Sequence, residues 1–150
     1  MMSAVNALFN HPGLRSLLVR LRIPIAIAIA TAVIAYADAR WLWPALAVSM
    51  AGELIQLWCF ATLDKNASLA CRGPYAIVRN PMYLGRFFIL GGALMLLGQP
   101  WLLVLYAVVY WFYMVNRVGR EERRLREVLG APYADYCAGT RRFLPGAPYR

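Results

Sequence analysis

The stretch GPYAIVRNPMYLGRF, residues 73–87, interrupts an otherwise strongly apolar chain. It brings together two arginines, two tyrosines, an asparagine and two prolines. Pro74 and Pro81 lack a backbone N–H and push the preceding residue towards an extended conformation, so they forbid one continuous helix. Gly73 and Gly85 permit close approach of the backbone. The stretch therefore predicts a polar, broken connection between two apolar helices.

The composition around this stretch is that of a membrane protein. Apolar residues make up 61% of the chain and charged residues only 15%, against about 25% charged in an ordinary soluble domain. A soluble domain of 150 residues could not bury so much apolar surface, so lipid must be its solvent. The net charge of +9 does not indicate nucleic acid, because the arginines flank apolar runs instead of alternating with aromatic residues.

The cysteines and the histidine do not form a recognisable metal or disulfide pattern. Cys59, Cys71 and Cys137 include no CxxC pair, and His11 has no ligand-type residue near it in the sequence. Such spacings favour neither a zinc site nor a disulfide framework. We therefore predict no metal.

Four apolar segments predict an all-α, four-transmembrane-helix bundle. They run over residues 23–37, 42–63, 84–98 and 101–118. Two of them are shorter than the roughly 20 residues that a perpendicular helix needs, so they require help from their flanks. The alternation of isoleucine and alanine in the first segment leaves both faces apolar, which favours a helix over a strand.

The first segment has two interpretations. Arg15, Arg20 and Arg22 precede it and residues 37–39 read Ala-Asp-Ala, which together resemble a cleavable signal peptide. However, the leucines between residues 14 and 21 recur at helical spacing. This pattern favours an interfacial helix that leads into a retained span.

The distribution of basic residues predicts the orientation. Of the 16 lysines and arginines, only Arg40 lies in the connections on one side of the four predicted spans. By the positive-inside rule, both termini and the stretch 73–87 face the cytoplasm. Tryptophans at 41, 43 and 101 fall at the opposite boundary, as interfacial aromatic residues do. A cytoplasmic loop would explain the arginines of this stretch but not its tyrosines or Asn80.

A second polar segment, NRVGREERRLREVLGAPYADYCAGTRRFLP, covers residues 116–145. Arg117 and Glu121 are four residues apart and share one helical face, which continues backwards through Met114 and Tyr110. A single stripe thus leads from the lipid, through aromatic residues, to an arginine and a carboxylate.

The remaining charged residues of this segment fit a simpler interpretation. Glu122 and Arg126 are spaced as a surface pair, which contributes a few tenths of a kcal/mol in an isolated helix. Glu122, Arg123, Arg124 and Arg126 would then form a solvated face.

The two polar segments together resemble a known enzyme family. GPYAIVRNPMYLG, a hydrophobic hairpin and REERRLREVLGAPYADYCAGTRRFLP are similar, in that order, to the isoprenylcysteine carboxyl methyltransferases, whose broader relatives are the phospholipid methyltransferases. The family pattern contains G-x-Y, R-H-P-x-Y-x-G, E-E-x-x-L, Y-x-x-Y and R-x-x-P. The resemblance covers residues 66–145 and is that of a bacterial-type member.

This resemblance implies an integral membrane enzyme that uses S-adenosyl-L-methionine from the cytosol and a lipophilic or prenylated acceptor from the bilayer. It implies one methyltransferase domain over residues 1–150, and leaves the oligomeric state open. Within this domain, residues 1–22 form an interfacial segment and residues 23–63 the first two spans. Residues 64–150 form the cofactor-binding and catalytic core with the other two spans.

The resemblance also implies the residues of the site. Arg117 and Glu121 would be catalytic, with Arg117 linked to the acceptor carboxylate. The cofactor-binding residues would be Ala67, Ser68, Leu69, Ala70, Tyr75, Arg79, Asn80, Pro81, Met82, Tyr83, Glu121 and Glu122.

Two departures from the family pattern bear on the substrate. Asn80 replaces the family's histidine, so a titratable ring is lost while donor and acceptor capacity remain. Cys71 and Arg72 stand where the eukaryotic enzymes have smaller and more neutral residues, which leaves the prenylated-cysteine substrate open.

The acceptor has two interpretations. A carboxylate is already ionised at neutral pH and needs no base, and the guanidinium of Arg117 could grip it at two points. A phospholipid amine would instead need a base. Neither polar segment contains a histidine, which favours the carboxylate.

Three further questions stay open at this stage. A sterol-type membrane reductase that uses NADPH shares the fold, but the Glu121-Glu122 pair favours the methyltransferase. A non-catalytic membrane scaffold could also have this fold, but the presence of Arg117 and Glu121 favours an enzyme. Glu53, in the second span, is either functional or a neutral packing residue. Abundant alanine and arginine suit a bacterial inner membrane.

Overall fold

The computed structural model describes residues 12–62, 71–143 and 146. The regular structure among them is helical throughout. The helices are α1 (Pro12–Tyr36), α2 (Leu42–Thr62), α3 (Pro74–Ile77), α4 (Pro81–Met95), α5 (Pro100–Leu129) and α6 (Ala131–Gly139), and a short 3-10 helix, Ala39–Trp41, precedes α2. The prediction of an all-α protein is confirmed.

Three of these helices are long and apolar enough to cross a membrane. The first is Val19–Tyr36 within α1. The second is Ala39–Thr62, which consists of the 3-10 helix and α2, and the third is α5. Helix α4 is apolar but has only 15 residues, whereas a perpendicular crossing takes about 20. The integral membrane character is therefore supported by three helices, and the fourth span remains a prediction.

The prolines of the stretch 73–87 act as the sequence predicts. Pro74 begins α3 and Pro81 begins α4, where the missing N–H of proline costs no helical hydrogen bond. Between these helices Val78 has an extended backbone, with φ −139° and ψ 134°. The chain therefore turns twice before it enters α4, and Gly73 makes the first turn possible with its positive φ of 59°.

Helix α1 runs without a break from Pro12 to Tyr36, with Pro24 inside it. The structure therefore merges the described part of the predicted interfacial segment with the first span. Its window Val19–Tyr36 contributes no buried residue. Because α1 rests so little on the other helices, its apolar side chains are free to face lipid.

Helices α2 and α4 pack closely because small residues line their contact. A Cβ atom built on Gly85 would lie 2.8 Å from Cγ of Gln56 and 3.0 Å from the carbonyl oxygen of Gly52. One built on Gly92 would lie 2.7 Å from the carbonyl oxygen of Ala45. All three distances are shorter than ordinary contacts, so the two backbones approach as closely as glycine allows.

Glu53 lies on the outward face of α2 and its side chain is exposed. Gln56, one turn away, instead packs towards Gly85 of α4. Glu53 thus does not face α4 in the described part of the chain, and its role remains a prediction. The buried residues of α2, Ala45, Gly52 and Cys59, lie on a face turned about 100° away from Glu53.

Neighbouring glycines of α4 allow a matched test of the α2–α4 contact. We expect Gly92→Ala to destabilise the protein by about 1–3 kcal/mol, since the new methyl group would overlap backbone atoms of α2. Gly91→Ala should be neutral or stabilising by up to about 1 kcal/mol, because its Cβ would lie 3.5 Å from Cε1 of Tyr106. Thermal and denaturant unfolding in detergent measures both, and equal effects of the two variants would contradict the close contact.

Candidate active site

The two polar segments of the sequence meet at the start of α4 and the middle of α5. The hydroxyl of Tyr83 donates a hydrogen bond of 2.9 Å to Oε2 of Glu121. Nε of Arg117 donates another, also of 2.9 Å, to Oε1 of the same carboxylate. The side chains of Arg117 and Glu121 are 42% and 41% exposed, so a ligand can reach this Tyr83–Glu121–Arg117 group.

The position of Tyr83 is fixed from two sides. The hydroxyl of Tyr110 on α5 donates a bond of 2.7 Å to the carbonyl oxygen of Tyr83. The guanidinium carbon of Arg86 lies 5.6 Å from the centre of the Tyr83 ring, within the range of a cation–π contact. A tyrosine hydroxyl is protonated at neutral pH, so Tyr83 serves here as a hydrogen-bond donor.

An apolar cavity of about 260 Å³ lies beside this group, between α4 and α5. Leu84, next to Tyr83, lines it from α4, and Tyr110, Trp111 and Met114 line it from α5. Trp111 is 51% exposed, so this wall of the cavity reaches the outer surface of the helices. Met114 is one turn from Arg117, so the charged group lies about one helical turn from the α5 wall of the cavity.

Glu122, unlike its neighbour Glu121, is buried, with 3% of the residue exposed. Its carboxylate forms an ion pair of 3.4 Å between Oε1 and Nε of Arg79 and a closer one with Arg142. The predicted surface pair with Arg126 is therefore wrong. Successive helical residues point about 100° apart, so Glu121 faces α4 while Glu122 faces α6 and the C-terminal segment.

Arg79 is also held by a backbone group. Its Nη1 donates a bond of 3.0 Å to the carbonyl oxygen of Cys137, in the last turn of α6. Cations are favoured at this end of a helix, where unpaired carbonyl oxygens gather. The side chain of Arg79 is therefore directed into the contact between α5 and α6, and only 12% of it is exposed.

The other predicted cofactor-binding residues have varied surroundings. Residues Ala67, Ser68, Leu69 and Ala70 lie outside the described part of the chain. Tyr75 is 9% exposed, and its carbonyl oxygen accepts a bond of 2.5 Å from the hydroxyl of Tyr136. Burial, with a contribution from Cys59, raises the pKa of Tyr75 to about 12. This tyrosine thus packs inwards as a neutral side chain.

Asn80 directly precedes α4, and Pro81 and Met82 are the first two residues of that helix. Asn80 lines the cavity, and its Nδ2 lies 3.5 Å from the carbonyl oxygen of Arg142. Pro81 is buried and Met82 is half-buried. Their roles in binding a cofactor remain predictions.

Two features of the site were not predicted from the sequence. Arg142 belongs to the R-x-x-P motif, but its partner Glu122 could not be read from the motif alone. Trp111 and Phe143 line the cavity, and no local pattern marks them, because their meeting depends on the return of the C-terminal segment to α5.

The family model described as phospholipid methyltransferase matches residues 25–131, well over half of the chain. The chain belongs to the phospholipid methyltransferase family. The matched range includes both residues of the Glu121-Glu122 pair and the whole stretch 73–87. The resemblance expected from the two polar segments is thereby confirmed at the level of this family.

Relatives of this family member include protein-S-isoprenylcysteine O-methyltransferases. The chain is 38% identical to that of Saccharomyces cerevisiae over 91 residues, which are 61% of this chain and 38% of the yeast protein. It is 32% identical to that of Schizosaccharomyces pombe over 90 residues, or 60% and 38% of the two chains. The B protein of Arabidopsis thaliana is 29% identical over 86 residues, or 57% and 42%.

The chain thus spans between 38% and 42% of the length of these three relatives. No solved structure matches the chain.

The adjacent glutamates allow a second matched test. Glu122→Ala should lower the free energy of unfolding by about 3–5 kcal/mol, because it leaves the buried Arg79 without its carboxylate. Glu121→Ala should cost no more than about 1 kcal/mol, since its ion pair with Arg117 is close to half exposed. Denaturant unfolding in detergent measures the difference, and equal losses would contradict the burial of Glu122.

Proposed function

We propose that this protein is a membrane methyltransferase that uses S-adenosyl-L-methionine to methylate a lipophilic acceptor, with a carboxylate of isoprenylcysteine type as the acceptor group. Membership of the phospholipid methyltransferase family supports the reaction type. The names of relatives such as those of both yeasts support the acceptor. The observation that carries the proposal is the Tyr83–Glu121–Arg117 group, which lies next in sequence to, or one helical turn from, residues that line an apolar cavity.

The residues of this group fit a cationic cofactor. S-adenosyl-L-methionine supplies an electrophilic methyl group on a sulfonium cation. Glu121 offers a carboxylate that is reachable from solvent and able to accept charge-assisted hydrogen bonds. Two hydrogen bonds hold this carboxylate in place, one from Tyr83 of α4 and one from Arg117, one turn earlier on α5. The amide of Asn80 offers both a donor and an acceptor beside the cavity.

The cavity and Arg117 fit the acceptor. Leucine, aromatic and methionine side chains line the cavity, which suits a hydrocarbon chain. A guanidinium has five N–H donors, so the bond to Glu121 leaves others that can grip an acceptor carboxylate. Such a carboxylate is ionised at neutral pH and needs no base, which agrees with a protonated Tyr83.

The catalytic contribution of the protein would then be positioning. Holding two reactants in line can supply about 7–11 kcal/mol of the barrier. The apolar walls exclude water from one side, and the charged group orients both reactants from the other. Arg117 positions the acceptor, and Glu121 positions the donor.

The site is proposed to face the cytoplasm in a bundle of four spans. Helices α1, α2 and α5 are the long spans, and the short α4 is the fourth. The basic residues, apart from Arg40, gather at one side of this arrangement, which is the cytoplasmic side by the positive-inside rule. Both termini lie on that side as well, and a bacterial inner membrane suits the composition.

The function is tested with the full chain purified in detergent. We expect S-adenosylhomocysteine to bind in isothermal titration and NADPH not to bind. Radiolabelled methyl groups should appear on an isoprenylcysteine analogue and not on phospholipid amines offered beside it. Binding of NADPH alone would overturn the methyltransferase, and methylation of amines alone would overturn the carboxylate acceptor.

Glu121 should be required for the donor. We expect Glu121→Gln to weaken S-adenosylhomocysteine binding by roughly 10–100-fold, the equivalent of a charged hydrogen bond of about 1.5–3 kcal/mol. Glu127→Gln is the matched control, because Glu127 is exposed on the same helix. This variant should bind S-adenosylhomocysteine as the natural chain does. Equal affinities of all three proteins would contradict the assignment.

Arg117 should act on the acceptor instead. Arg117→Lys keeps the charge but loses the planar fork, so we expect KM for the isoprenylcysteine analogue to rise by roughly 10–100-fold, again about 1.5–3 kcal/mol. The affinity for S-adenosylhomocysteine should change little. A loss of donor affinity with an unchanged KM would contradict this division between Arg117 and Glu121.

A further inference from the structure

The C-terminal segment returns along the polar stretch between α3 and α4. The backbone N–H of Arg79 donates to the carbonyl oxygen of Arg141 at 3.0 Å, and that of Gly146 donates to the carbonyl oxygen of Ile77 at 3.2 Å. Nδ2 of Asn80, the residue after Arg79, lies 3.5 Å from the carbonyl oxygen of Arg142. The segment is thus laid beside residues 77–80.

A buried charge cluster fixes this segment to α5. Glu122 on α5 pairs with Arg142 of the returning segment and with Arg79 of the polar stretch. Only 4% of the Glu122 side chain is exposed, so loss of both arginines would leave its charge unpaired in the protein interior. The three residues, which we name the 79–122–142 cluster, join three separate parts of the chain.

The cluster determines where the next residue lies. Phe143 follows Arg142 directly and lines the apolar cavity. Its ring lies 5.6 Å from that of Trp111 at an angle of 63°, in the edge-to-face geometry that aromatic pairs prefer. The guanidinium carbon of Arg142 lies 5.8 Å from the same ring. Phe143 is therefore held from both sides as one wall of the cavity.

We propose that Phe143 sets how large a hydrocarbon group the cavity admits, and that the 79–122–142 cluster positions it there. This inference rests on the proposed function, since the cavity is taken as the acceptor site. Phe143 is a specificity-determining residue that would touch the acceptor chain. Glu122 is a positioning residue, which acts through Arg142 and not by contact with either reactant.

The size of the cavity makes this wall important. About 260 Å³ is at or below the lower end of the roughly 300–1,000 Å³ of typical ligand sites. Removing an aromatic ring from one wall would therefore enlarge the cavity by a substantial fraction. Leu84 lines the cavity from α4, and Tyr110, Trp111 and Met114 line it from α5. Phe143 comes from the returning segment instead, so it can change without altering either helix.

The experiment compares two isoprenylcysteine analogues, one with a shorter and one with a longer isoprenyl chain. We expect Phe143→Ala to shift the ratio of kcat/KM towards the longer analogue by about tenfold, as pocket contacts of a few carbon atoms do. Phe60→Ala is the matched control, because Phe60 is 59% exposed on α2 and the ratio should not move. Equal losses for both analogues in Phe143→Ala would overturn the proposal.

The positioning role is tested by Glu122→Gln. This variant should shift the ratio of kcat/KM towards the longer analogue, as Phe143→Ala does. Its affinity for S-adenosylhomocysteine should change less than this ratio. An unchanged ratio in a folded Glu122→Gln protein would overturn the role of the cluster. If Glu122→Gln does not fold, Arg142→Lys takes its place with the same expected shift and the same contradictory outcome.

A binding measurement separates this inference from the proposed function. Brominated alkyl probes of two lengths quench tryptophan emission on contact, and the difference between the natural chain and Trp111→Phe isolates the signal of Trp111. We expect Phe143→Ala to increase the relative affinity for the longer probe even if the protein methylates neither analogue. Unchanged relative affinities would overturn the role of Phe143, whereas absent methylation with shifted affinities would overturn only the proposed function.

Discussion

The burial of one carboxylate, that of Glu122, holds the polar half of this protein together. An ionised group inside a protein is costly unless charged partners satisfy it, and Glu122 has two, Arg79 and Arg142. These partners come from the segment before α4 and from the segment after α6. Because one side chain joins both to α5, the parts of the chain that form the candidate site cannot move independently.

The adjacent glutamates Glu121 and Glu122 have different roles in the structure. Glu122 is enclosed and structural, while Glu121, one residue earlier, is reachable from solvent and bonded to Tyr83 and Arg117. The helical rotation between neighbours is what separates them. A pair of acids on one helix can thereby support the scaffold on one face and offer a charge to a ligand on another.

The sequence was sufficient for the features that depend on local chemistry. Pro74 and Pro81 start helices because proline lacks an N–H, and the spacing of Arg117 and Glu121 places them on one face. It failed where the outcome depends on distant partners. Nothing near Glu122 shows that Arg142 will return to it, and nothing near Glu53 shows which side of α2 the other helices occupy. Phe143 was missed for the same reason.

The shortness of α4 has a consequence for the bilayer around the site. Its 15 residues extend about 22 Å at about 1.5 Å per residue, whereas the hydrocarbon core of a membrane is about 30 Å thick. As the proposed fourth span, α4 would therefore require the lipids beside it to be compressed to match its length. An amphiphile there would carry its head group nearer to the midplane without leaving the leaflet in which it resides.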